Sequence, residues 1–164
     1  MTAQMPDVAR WLDATLRRSA KTPRHARQAI RLWMADADPV LLSNAMLVVS
    51  ELVTNVVRHV PAGVQREWVK VRLGLADDFV RLEVIDPGTT YPEPRFTPLT
   101  QGSMQQTGRG LGLVAALAIR HGTQLLAGGH RVVWADLTHA DAANATLVVA
   151  TDVQEQVSAV REPR

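Results

Sequence analysis

The chain has 164 residues, 46% of them hydrophobic and 21% charged, with no cysteine and a formal net charge of +2. That size and balance describe one ordinary globular domain, and the missing cysteines exclude disulfide scaffolds, thiol nucleophiles and thiolate metal sites. No block of five or six like charges suggests a nucleic-acid arm, no apolar run approaches the roughly 18 residues of a membrane span, and the N-terminus around Asp7 has no signal-peptide core, so a cytoplasmic protein is expected.

Residues 1–21 read in two ways. Val8, Trp11, Leu12 and Leu16 could share one helix face, or residues 14–20 could form a first strand. After Pro23, residues 25–35 read as a helix, with Ala26, Ile30 and Met34 at i, i+4 and i+8 and Trp33 beside them. Asp38-Pro39 supplies a cap and a first-turn proline for a second helix over residues 40–60. Apolar residues wrap much of that helix, which predicts burial. Residues 67–75 and 79–85 alternate apolar and polar around Ala76-Asp77-Asp78, the pattern of a hairpin. Residues 89–107 form a polar connection in which Pro92, Pro94 and Pro98 exclude a regular helix through most of its length. A connection of that length is often functional or mobile. Gly108, Gly110 and Gly112 then open a helix over about residues 111–121. Leu125-Leu126 and residues 131–137 read as a second hairpin around Gly128-Gly129.

Glu51, Asn55 and His59 recur every four residues on the second helix, so they drift by only about 40° per step and form one stripe. Burying a carboxylate without partners is costly. The stripe therefore lines a wet cleft, meets specific partners, or is simply the solvated face of the helix. In a cleft, Glu51 can take a proton from a hydroxyl or a water. The Asn55 amide oxygen can ligate a hard cation such as Mg2+. His59, at the helix end, reads as a cap or a structural hydrogen-bonder. Asp86 follows an alternating strand and can accept a hydrogen bond from an exocyclic amine, while Gly88 lets the backbone approach a flat ligand. The three glycines open a helix whose free N–H groups suit phosphate, although packing and capping explain many such clusters. Neither Lys21 nor Lys70 follows a glycine, and Gly-x-Gly-x-Gly differs from the dinucleotide fingerprint, so both familiar phosphate loops are excluded. No nucleophile elbow and no His-x3-His zinc pair is present.

The order of these signals is more specific than any one of them. Glu51-Leu-Val-Thr-Asn55-Val-Val-Arg-His59, then Asp86-Pro-Gly88, then Gly108-Arg-Gly-Leu-Gly112 resemble the N-box, G1 and G2 boxes of the GHKL ATPase superfamily. The stretches Val48–Asn55, Gly108–Leu117 and Val133–Leu137 look most like its stand-alone anti-sigma-factor serine/threonine kinase branch, among small actinobacterial ATP-binding regulators. The resemblance spans about residues 14–138. It implies a Bergerat fold, an α/β (α+β) two-layer sandwich with a mixed sheet and helices on one face. The ATP-binding domain would occupy residues 1–138 with a lid over 89–107, leaving 139–164 as a C-terminal extension of no assigned role.

The same resemblance implies ATP and Mg2+ as cofactors. Glu51 would be the general base and Asn55 the Mg2+ ligand. Asp86 would bind the adenine amine and Gly88 would admit the base. Gly108, Arg109, Gly110, Leu111 and Gly112 would surround the phosphates. The activity implied is phosphorylation of a serine or threonine on a small antagonist protein. The resemblance also allows sequestration of a sigma factor and a homodimer, with no direct nucleic-acid or membrane partner. The alternative is a nucleotide-binding regulatory module without kinase activity. A sensor histidine kinase fits poorly, because too few residues precede the second helix for a dimerisation helix pair and a first strand. Two departures stand out. The family usually carries a threonine near the adenine on its last strand, where Val132 is read here, and Pro87 stiffens the G1 turn.

Overall fold

The computed structural model describes residues 7–59, 67–87 and 109–138. β1 (Arg10–Arg17) settles the N-terminal ambiguity in favour of a strand. Its period is two: Leu12 and Leu16 pack towards the core while Trp11 and Asp13 lie on the other face. α1 (Thr22–Trp33) has Pro23 in its first turn and contributes Ala26 and Ile30 to the core. α2 (Pro39–His59) is capped as its sequence predicts, with the Leu41 backbone N–H donating to Asp38 Oδ2 at 3.1 Å.

β2 (Trp68–Leu75) and β3 (Phe79–Asp86) form the expected hairpin. α3 (Arg109–Leu117) ends before His121, which instead belongs to β4 (Arg120–Leu125). Sheet contacts account for the early stop. Ile119 donates its backbone N–H to the Asp136 carbonyl at 2.9 Å. Gly122 then lies against Trp134, whose ring a Cβ there would meet at 2.9 Å. β5 (Arg131–Thr138) follows a turn in which Gly128 and Gly129 adopt φ of 84° and 83°, values that favour glycine.

The strand order is β1-β2-β3-β5-β4, and all four pairings are antiparallel. This corrects the expectation of a mixed sheet for the described residues. β3 and β4 do run in the same direction, as expected across a helical crossover. However, β5 inserts between them, so they never share a ladder. The two-layer class stands. α1, α2 and α3 all feed one core on one face of the sheet, against Val71, Leu82, Val84, Val133 and Ala135.

By length and composition α2 could cross a membrane. Its apolarity has a different cause here: Val48, Val49, Leu52, Val53 and Val56 are fully buried in that core, where α2 packs on β3, β5, α1 and α3.

The opposite face carries a network of charge and aromatic rings. Arg81 donates from Nε and Nη2 to the two carboxylate oxygens of Asp136 at 2.7 and 2.8 Å. Arg120 Nε donates to the same carboxylate at 2.9 Å. Arg72 donates to Glu83 at 3.1 Å. Arg72 and Arg81 also stack on the rings of Trp11 and Trp134, at 4.0 and 4.1 Å. Burial pushes the Glu83 carboxyl above its ordinary range. Arg72 and Arg81 pull it back, and the nearby Asp136 charge raises it further.

Candidate functional site

α2 brings Glu51 and Asn55 to the inner side of the sheet on successive turns, both half-buried, while His59 at the helix end is exposed. The solvated-face reading therefore fits His59 and fails for the other two. Glu51 faces the first turn of α3. A Cβ added to Gly110 would overlap a Glu51 carboxylate oxygen and lie 3.2 Å from its Cδ. A side chain at Gly110 would make the Glu51 carboxylate swing aside, so the bare backbone is what lets the carboxylate sit at the helix start. That end of α3 offers N–H groups without intrahelical partners and the positive end of the helix dipole. A proton acceptor thus stands beside a place suited to phosphate.

The Leu111 side chain goes into the core, so its backbone is what it can offer a phosphate. Gly112 is buried beside it. Arg109 opens α3 through its backbone; its side chain lies outside the description. Gly88, Gly108 and the expected lid, residues 89–107, lie outside the described residues, as does the extension 139–164.

Asn55 offers the clearest polar group for a ligand. Its Nδ2 is buried and has no hydrogen-bond partner among the described residues. Such an orphan donor costs about 1–3 kcal/mol, a cost that an anionic oxygen would remove. An amide facing a phosphate and a hard cation can serve both, with N–H to the phosphate and carbonyl oxygen to the cation. Among the described residues no group of three His, Asp or Glu could hold a metal. A cation at Asn55 would then draw most of its ligands from a bound nucleotide and water, as Mg2+ commonly does. The residues present therefore fit Mg2+-nucleotide.

Asp86 ends β3 on the inner face and is wholly buried. Its position shows that the last-strand reading was off by one residue. Val132 pairs with Ile85, and both lie on the face away from the helices. The residue across from Asp86 is Arg131. Val133, Ala135 and Leu137 all enter the core, so counting back by two from Val133 puts Arg131 on the inner face. That alternation was available in the sequence, but the pairing that sets Arg131 against Asp86 was not.

A helix stripe, a glycine-opened second helix and a buried strand-end aspartate on an antiparallel sheet define the ATP-binding module of GHKL type. Residues 2–135 match the family model of the histidine kinase-like ATPase domain, and the chain belongs to that family. Domains of this kind bind ATP, usually with Mg2+. No curated protein matches the chain in sequence.

With that assignment, Asn55→Ala should remove the Mg2+-dependent part of ATP affinity. Calorimetry with and without Mg2+ measures it, and undiminished Mg2+-dependent binding would contradict the ligand role.

Proposed function

We propose that the protein is an ATP-dependent regulator of the anti-sigma type. It transfers the γ-phosphoryl group of ATP to a serine or threonine hydroxyl of a small antagonist protein, and it binds a sigma factor when that antagonist is phosphorylated. The placement of the Glu51 carboxylate against Gly110 carries this reading. It sets a general base at the edge of the phosphate site, where an acceptor hydroxyl must lose its proton.

In the proposed reaction the hydroxyl oxygen bonds to the γ-phosphorus as the bond to the ADP oxygen breaks. Glu51 receives the hydroxyl proton. The first N–H groups of α3 orient the phosphates and stabilise the charge on the phosphoryl oxygens. Asp86 accepts the adenine amine, and Asn55 would hold Mg2+. When bound, the cation would supply positive charge to offset the charge developing on the transferred group.

Incubation of the protein with a candidate antagonist and γ-labelled ATP tests the proposal. Label appearing on the antagonist supports it. Intact ATP binding with no transfer to any candidate leaves the nucleotide-responsive module without kinase activity.

Asp86→Asn gives a narrower test of base recognition. It should weaken ATP by about tenfold or more, the worth of a hydrogen bond to a charged acceptor, and leave inorganic triphosphate unaffected. Equal losses for both would contradict its role at the base.

A further inference from the structure

We propose that Arg131 is a positioning residue for base recognition: it orients the Asp86 carboxylate so that its remaining oxygen lone pairs accept the exocyclic amine of adenine. The proposal rests on the ATP-binding reading of Asp86.

The two residues are direct partners in the β3–β5 ladder. Direct antiparallel partners hold their Cβ atoms about 4.5–5.5 Å apart on one face, well within the span of an arginine. Asp86 is wholly buried and Arg131 is half-buried. Each has an interaction partner, so neither is idle. A buried carboxylate must be paired or lose its charge. If it were protonated, Asp86 would carry an O–H and offer fewer acceptor sites to an amine. As a carboxylate it has about four acceptor sites, and a guanidinium engages only two of them.

The same ladder shows that such a pair forms. Five residues along, Arg81 and Asp136 are also direct partners, and there the guanidinium grips both carboxylate oxygens at 2.7 and 2.8 Å. The Asp86–Arg131 pair has the two residue types exchanged between the strands and lies on the helix side of the sheet. The Arg81–Asp136 pair lies on the face away from the helices, where no residue of the proposed site stands. The inner-face pair stands where the base is read.

The experiment compares ATP with purine riboside triphosphate, which lacks the amine, by calorimetry on the full chain. Wild type, Arg131→Met and Arg131→Lys are measured. The wild type should prefer ATP by roughly tenfold. Arg131→Met should lose that preference while binding the amine-free analogue within about twofold of wild type, and Arg131→Lys should retain most of the preference. If Arg131→Met does not fold, Arg131→Gln replaces it, with the same loss expected.

An unchanged ATP preference in the neutral variant overturns the proposal. So does an equal loss for both triphosphates, which is the signature of a merely structural role. A wild type that binds ATP without any amine preference overturns the reading of Asp86 beneath it. A wild type that binds no nucleotide overturns the ATP reading itself.

Discussion

Asp136→Ala is expected to destabilise the fold by about 3–5 kcal/mol, the usual cost of orphaning a buried charge. The Asp136 carboxylate is completely buried and accepts hydrogen bonds from both Arg81 and Arg120. Arg81 is the partner that matters, because its side chain is only 7% exposed, whereas that of Arg120 is 51% exposed. Without Asp136, Arg81 keeps its charge beneath the Trp134 ring but loses the carboxylate that held it by two hydrogen bonds. Arg120 can turn to water. Arg120→Ala should therefore cost no more than about 1 kcal/mol. Urea denaturation of both variants measures the difference, through a shift in midpoint at constant slope. An Asp136→Ala midpoint equal to that of Arg120→Ala would mean that the buried pair contributes nothing special.

Glu51→Gln should lower phosphoryl transfer by about 10²–10⁴-fold, the range of a positioned general base. The amide has the same shape against Gly110, so the first turn of α3 should keep its position. ATP affinity should then stay within a few-fold of wild type, because Glu51 acts on the acceptor hydroxyl and not on the nucleotide. Label transfer to the antagonist and calorimetric ATP binding separate the two quantities. Transfer within tenfold of wild type would remove Glu51 from the role of base. A parallel loss of ATP binding would mean that the carboxylate supports the phosphate site instead.

Much of the inner layer was readable from one-dimensional pattern. The four-residue recurrence of Ala26, Ile30 and Met34 marks α1, and the alternation through β2 and β3 marks their hairpin. These signals are local: each element must bury its own stripe, so the stripe is written in consecutive residues. The order of the three boxes was legible for a similar reason. Each box is a short run of neighbouring residues, and its chemistry needs particular residue types at short spacing.

The misreadings share another cause. Residues 118–121 carry enough apolar character to continue α3, yet the chain leaves the helix because Ile119 and Arg120 have partners on β5. The register of β5 against β3, which sets Arg131 and not Val132 across from Asp86, cannot be read from either strand alone. That Asn55 Nδ2 finds no partner among the described residues was likewise out of reach, since it depends on everything packed around it.

By itself, the sequence determined the helices, the first hairpin, the family and the candidate residues for its site, because periodicity and short motifs act within a few turns of chain. The tertiary structure decided which strand lies beside which and which side chains meet. It inserted β5 between β3 and β4, brought Glu51 against Gly110, set Arg131 across from Asp86, and closed Arg81 on Asp136, 55 residues away in sequence. Contacts at that separation follow from how the layers pack as a whole, and no local stretch of the chain contains them.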